Sequence, residues 1–150
     1  MLRELQTFGQ KPIKATYVAS ENMTQGMAVS IDHANEEVDK ATGIGEYLVD
    51  VPKNYDGEYS YKNPVDDAFE AITDGDTVLV IPTLPGERYA TDQLTVGNPA
   101  VAKGAYLKVA SGLFVAAAQS DAVAWVYGGT YTDPTGTMYI VERVAATTAP

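Results

Sequence analysis

From residue 14 onward, apolar side chains recur at every second position in short runs broken by turn residues. A period of two marks strands that turn one face to a core. KATYVAS (14–20), GMAVSI (26–31) and EYLVDV (46–51) read as strands, with ENMTQG as a turn and DHANEE (32–37) as a polar loop. TVLVIP (77–82) is a continuous apolar run bounded by Gly75 and Pro82, which predicts a buried strand. AYLKVA (105–110) and LFVAAA (113–118) flank Ser111-Gly112 at the two-residue spacing of a tight hairpin. AVAWVY (122–127) and MYIVERV (138–144) flank Asp133-Pro134-Thr135-Gly136, which predicts a second hairpin.

One phrase, Gly-x-x-apolar-x-apolar, occurs as GMAVSI, GDTVLV (75–80) and GAYLKV (104–109). Its copies lie 49 and then 29 residues apart, which excludes a solenoid repeat. In each copy the alternation puts the apolar pair on one face. Val78 and Val80 oppose Leu79, and Leu107 and Val109 oppose Tyr106 and Lys108. The leading glycine supplies the backbone freedom that lets a turn feed directly into a strand.

The remaining segments are less regular. Residues 1–14 read as an N-terminal arm in which Leu2, Leu5 and Phe8, at i, i+3 and i+6, allow one or two helical turns before Gly9 and Pro12. PKNYDGEYSYKNP (52–64) reads as a long loop or an exposed hairpin turning at Asp56-Gly57. NPVDDAFEAI (63–72) can form a helical turn or two behind Pro64. The expected architecture is all-β, a small barrel or sandwich of about eight to ten short strands with at most one or two short helices. It divides into an arm (1–14), a β-rich domain (15–145) and a flexible C-terminal tail (146–150).

Composition agrees with strands: ten tyrosines and many Val and Thr suit a pleated surface. The formal net charge of −10 argues against nucleic acid as a partner. The first 14 residues carry Arg3, Lys11 and Lys14 against Glu4, so a basic arm precedes an acidic body. There is no cysteine, hence no disulfide framework. The opening residues lack an apolar h-region, and no run of 18 apolar residues exists, so the expectation is a soluble protein made in a cytoplasm, without a membrane partner.

Chemistry is sparse. The single histidine, His33, would have to be the base of any Ser-His-Asp arrangement, and Ser30 and Ser111 lie in strand and turn contexts. Asp32, His33, Glu36, Glu37 and Asp39 crowd together, as do Asp74 and Asp76, yet neither group matches a Ca²⁺ loop and zinc would need more His or Cys. Asp66-Asp67, Glu87 and Asp92 are the carboxylates from which a glycosidase pair could be drawn. TDGDT reads better as a turn whose Asp side chains bond nearby amides. Tyr55, Tyr59 and Tyr61, with Trp125, Tyr127 and Tyr131, could form a sugar platform, although Trp125 inside an apolar strand reads first as core. No catalytic set and no cofactor or metal site is expected.

The order of elements, YVASENMTQGMAVSID, AITDGDTVLVIPTLPGERYATDQL, GAYLKVASGLFVAAA and AWVYGGTY…MYIVERV, resembles that of tailed-phage head decoration (capsid-stabilising, or cement) proteins over most of residues 12–144. The resemblance implies a non-enzymatic structural virion protein on the capsid exterior, synthesised in the host cytoplasm. Its partner would be the major capsid protein, and it would form a homo-oligomer, a trimer. The arm would engage the shell, with Leu2, Leu5 and Phe8 as apolar anchors and Arg3, Lys11 and Lys14 as polar or ionic contacts. The competing reading is a carbohydrate- or receptor-binding β module of a phage fibre or tail; a third is an acidic β-barrel hydrolase.

Overall fold

The computed structural model describes residues 1–8, 15–51, 71–97 and 100–150. Among these it contains thirteen strands and no helix, so the all-β expectation holds. They are β1 (Leu2–Gln6), β2 (Ala15–Ala19), β3 (Met23–Thr24), β4 (Ala28–Asp32), β5 (Glu37–Lys40), β6 (Tyr47–Asp50) and β7 (Ala71–Ile72). The second half adds β8 (Thr77–Pro82), β9 (Arg88–Thr91), β10 (Tyr106–Ala110), β11 (Leu113–Ala116), β12 (Ala122–Asp133) and β13 (Gly136–Thr148).

Five strands close a barrel in the order β2-β5-β4-β6-β8, and six form a sheet in the order β1-β9-β13-β12-β10-β11. The β2–β5 pair is parallel. The barrel interior is filled by Ala19, Val29, Val38, Val49, Val78 and Val80, joined by Met23 and Ile72, cross-strand partners of the small β3–β7 ribbon. A second core lies between barrel and sheet. Ala28, Leu48 and Ile81 reach it from the barrel, and Tyr89, Leu107, Phe114, Trp125 and Val141 from the sheet.

Strand alternation explains how one barrel serves two cores. The neighbours Ala28 and Val29, Leu48 and Val49, and Val80 and Ile81 each send one side chain outward to the sheet and one inward. That is why TVLVIP reads as a continuous apolar run. Each Val, Leu or Ile among them, taken fully out of water, contributes roughly 1.5–3 kcal/mol. Backbone bonds add to the junction: Gly43 and Val109 exchange two hydrogen bonds of 2.8 Å, and Gly112 donates to Ala41 O at 2.9 Å.

The repeated glycine phrase is one recurring turn. Gly26, Gly75 and Gly104 have φ of +88°, +89° and +89°. In each case the residue after the glycine donates to the carbonyl two positions before it: Met27 to Thr24, Asp76 to Thr73 and Ala105 to Ala102, at 3.0–3.1 Å. This is the type II turn, which requires a positive φ at its third residue. A fourth copy stands at Pro85-Gly86, closed by Glu87 N to Leu84 O at 3.0 Å. Each turn also grips a strand elsewhere. The glycine N–H of the four turns donates to Val49, Ala19, Tyr127 and Arg143 respectively, and each of these donates back to the residue after the glycine.

Both hairpins form as expected. Ala110 pairs with Leu113 around Ser111-Gly112, whose φ angles are +48° and +80°, and Asp133 pairs with Gly136 around Pro134-Thr135. Two local expectations are overturned. Leu2–Gln6 is a strand on β9, where the helical spacing had suggested turns of helix. Five residues carry too little periodicity to decide, and the pairing partner lies far along the chain. The C-terminal tail continues β13 to Thr148, and Ala149, only 8% exposed, exchanges hydrogen bonds with Ser120 and Asp121. The segment 52–64 lies outside the described residues; of 63–72 only Ala71–Ile72 is described, as β7.

Candidate functional site

The residues predicted to bind a partner begin on β1, the edge strand of the six-stranded sheet. Leu2 is 7% exposed and belongs to the second core, because alternation turns it to the same side as Thr91, its partner on β9. Arg3 is spent within the chain. Its Nε lies 3.2 Å from Asp133 Oδ2, its Nη2 donates to Thr135 Oγ1 at 3.2 Å, and its Nη1 to Leu2 O at 3.0 Å. The Asp133 carboxyl is held below its ordinary value, first by the Thr135 hydroxyl and then by the Thr135 amide and Arg3. Arg3 thus fastens β1 to the tip of the β12–β13 hairpin. The amino group of Met1 adds a bond to Asp92 Oδ1 at 2.7 Å.

Leu5 is the extra residue of a bulge between Glu4 and Gln6 and is half-buried. A bulge on an edge strand twists it away from flat pairing. Phe8 is different: it is 47% exposed, and with Val18 it is one of two large hydrophobic side chains left exposed among the described residues. Its ring lies over Gly86, where a Cβ would come within 3.2 Å of it. Lys11 and Lys14 lie outside the described residues.

Beneath Phe8 sits a residue that the sequence had offered only as a generic carboxylate. Glu87 is 0% exposed. Its Oε1 accepts from the Phe8 amide at 2.9 Å, and its Oε2 accepts from the Leu84 amide at 2.9 Å and the Tyr89 hydroxyl at 2.6 Å. Burial pushes the Tyr89 phenol above its ordinary value, and the Glu87 carboxylate adds to the rise. A buried carboxylate is tolerable only when hydrogen bonds replace its water, and three donors do so here. The register of PGERYAT signals the placement: Glu87, Tyr89 and Thr91 alternate on one face, and all three are fully buried.

Close by, Arg143 is buried under the same sheet. It donates through Nη1 to Ala124 O at 3.1 Å and through Nη2 to Glu46 Oε1 at 3.1 Å, and its guanidinium stands 5.6 Å from the Trp125 ring centroid. Burial lowers its affinity for a proton, and Glu46 opposes that shift.

Several other predicted groups make local hydrogen bonds. Asp32 accepts from the Ala34 amide at 2.8 Å and from Asn35 Nδ2 at 2.8 Å, which closes the turn carrying the exposed His33. Asp76 Oδ2 accepts from the Thr73 amide at 2.7 Å within the Gly75 turn. Among the described residues, no three His, Cys, Asp or Glu side chains gather as a metal site. Trp125 is fully buried, with its Nε1 donating to Ile44 O and Gly45 O at 3.0 and 2.8 Å, and it packs edge-on against Phe114 at 5.1 Å. It is therefore core and takes no part in a sugar platform. Tyr127 is 8% exposed and leans on Tyr139, while Tyr55, Tyr59 and Tyr61 lie outside the described residues. No protein-family model, no curated protein and no solved structure matches the chain.

Proposed function

We propose that the chain is a non-enzymatic structural protein that decorates and stabilises a phage head by binding the outer surface of the capsid lattice. One observation carries the reading: just past the N-terminal edge strand, Phe8 is 47% exposed, and with Val18 it is one of two large hydrophobic side chains left exposed among the described residues. The order of strands and turns, which resembles that of head decoration proteins, supplies the partner. Leu2 and Arg3 are engaged in their own fold, so contact with the shell falls to Phe8 and to the basic Lys11 and Lys14 that follow it. Repetition over a lattice turns a modest contact per copy into strong retention. Trimers of the chain would suit threefold positions.

The test is co-sedimentation with expanded shells that lack the protein, scored against unexpanded precursors. Deleting residues 1–14 would remove a core residue and an entire strand, so point changes are the better probe. Wild type is expected in the shell pellet, and Phe8→Ala combined with Lys11→Ala and Lys14→Ala is expected in the supernatant with an unchanged melting temperature. Equal retention of both proteins, or no retention of wild type, overturns the proposal.

A further inference from the structure

We propose that Glu87 is the positioning residue of the N-terminal contact: its buried carboxylate fixes where the chain leaves the sheet and so holds the Phe8 ring at the Pro85-Gly86 turn. The functional consequence rests on the decoration reading; the positioning itself does not.

The geometry divides the carboxylate into two jobs. Oε2 serves the body, taking the Leu84 amide at the start of the turn and the Tyr89 hydroxyl inside the sheet. Oε1 accepts from Phe8, the last described residue before the basic stretch. The same turn presents Gly86 to the Phe8 ring, and a Cβ there would stand 3.2 Å from the ring, close enough to displace it by a few tenths of an ångström. The turn is itself anchored, since Gly86 donates to Arg143 O at 2.7 Å and Arg143 donates to Glu87 O at 2.8 Å. Phe8 is thereby referred to β13 in the middle of the sheet, through a single side chain. A buried carboxylate costs desolvation that an apolar residue would avoid, and an apolar residue could accept no bond from the arm.

Glutamine separates the two jobs. Both carboxylate oxygens face donors, so Glu87→Gln must turn an NH₂ towards one of them. Among the described donors the Phe8 and Leu84 amides are both fixed, so in either orientation the NH₂ opposes a backbone N–H. The Tyr89 hydroxyl, which donates to Oε2, tips the amide oxygen to that side and the NH₂ towards Phe8. The change should release the arm and spare the body.

Amide hydrogen exchange on the free protein, followed by shell co-sedimentation, tests this. In Glu87→Gln, exchange over residues 5–8 is expected to quicken about tenfold or more, the loss of one hydrogen bond to a charged acceptor. Exchange in β12 and β13 should stay unchanged and retention on shells should fall. Phe8→Pro removes the amide donor of that bond together with the ring and should quicken exchange over residues 5–7 in the same way, whereas Phe8→Ala, which removes the ring and keeps the donor, should not. The pair keeps the test intact if Glu87→Gln does not fold. Glu21→Gln, on the barrel, should alter neither readout. Unchanged exchange over residues 5–8, or acceleration spread equally over the whole sheet, overturns the positioning role. A loosened arm with undiminished retention overturns its part in binding. Failure of wild type to bind shells overturns the decoration reading and leaves the exchange result to judge Glu87 alone.

Discussion

Gly26, Gly75 and Gly104 occupy the same position of the same turn with φ within a degree, yet their surroundings differ, which makes them a matched set for alanine substitution. A Cβ at Gly75 or Gly104 would meet nothing within 4 Å. Alanine there incurs only the backbone penalty of the left-handed region, roughly 1–2 kcal/mol, reduced by the stiffer unfolded chain. A Cβ at Gly26 would stand 2.5 Å from Thr91 Oγ1 and 2.7 Å from the Met1 carbonyl oxygen. Thr91 cannot easily yield, being fully buried and donating to Gly26 O at 3.1 Å. Overpacking adds about 1–3 kcal/mol, so Gly26→Ala should lose roughly 2–5 kcal/mol in all. Equilibrium unfolding in urea measures this. With slopes of about 1–3 kcal/mol/M, the overpacking difference should place the Gly26→Ala midpoint roughly 0.3–3 M below those of the other two variants. Equal losses at all three sites would show that the Thr91 contact is not rigid. No loss at Gly75 or Gly104 would refute the turn assignment.

Three further outcomes are expected. Ser111, at φ +48°, stands first in a two-residue hairpin turn that favours Asn-Gly, so Ser111→Asn should raise stability by about 0.5–1 kcal/mol, seen as a higher melting temperature. Trp125→Phe takes the donor from two backbone carbonyls and leaves a void, and should destabilise by about 2–4 kcal/mol in denaturation followed by circular dichroism. Asp32, Asp121, Asp133 and Glu21 are all held below their ordinary values, by the Ala34 amide, the Lys108 ammonium, the Thr135 hydroxyl and the Lys40 amide first in each case. The unfolded chain then binds more protons than the folded one at acid pH. Their contribution is complete above the unfolded carboxylate values near pH 4 and is lost as pH falls through the folded ones. Thermal melts should show a plateau above about pH 5 and a decline below pH 4, shallower in Asp121→Asn; an unchanged decline in that variant would contradict the Lys108 pairing.

What the sequence discloses here is what short stretches of chain decide. Ser111-Gly112 and the Asp133–Gly136 loop specify hairpins because turn and strands are adjacent. The glycine phrase specifies a turn because a positive φ is a local demand. TDGDT was legible as a turn for the same reason, and Trp125 as core from its apolar strand. The parallel β2–β5 pair, the closure of the barrel and the seating of β1 on β9 join distant segments, and no spacing announces them. Glu87 stands in the sequence as one carboxylate among several, and its burial shows only in the register it shares with Tyr89 and Thr91. Arg3 was assigned outward for its charge, although its partners Asp133 and Thr135 come from the far end of the chain.

The four glycine turns bear on how such a chain finds its fold. Strands brought together from afar must choose among sliding alignments, and a slip of one residue would exchange the two cores' side chains with each other or with solvent. A tight turn assembles from neighbouring residues on a timescale far shorter than that of distant pairing. Once made, each of these turns carries one donor and one acceptor that fit a single residue of its target: Val49, Ala19, Arg143 or Tyr127. In the folded protein each of the four contacts admits one alignment of its target and so works against a slipped register.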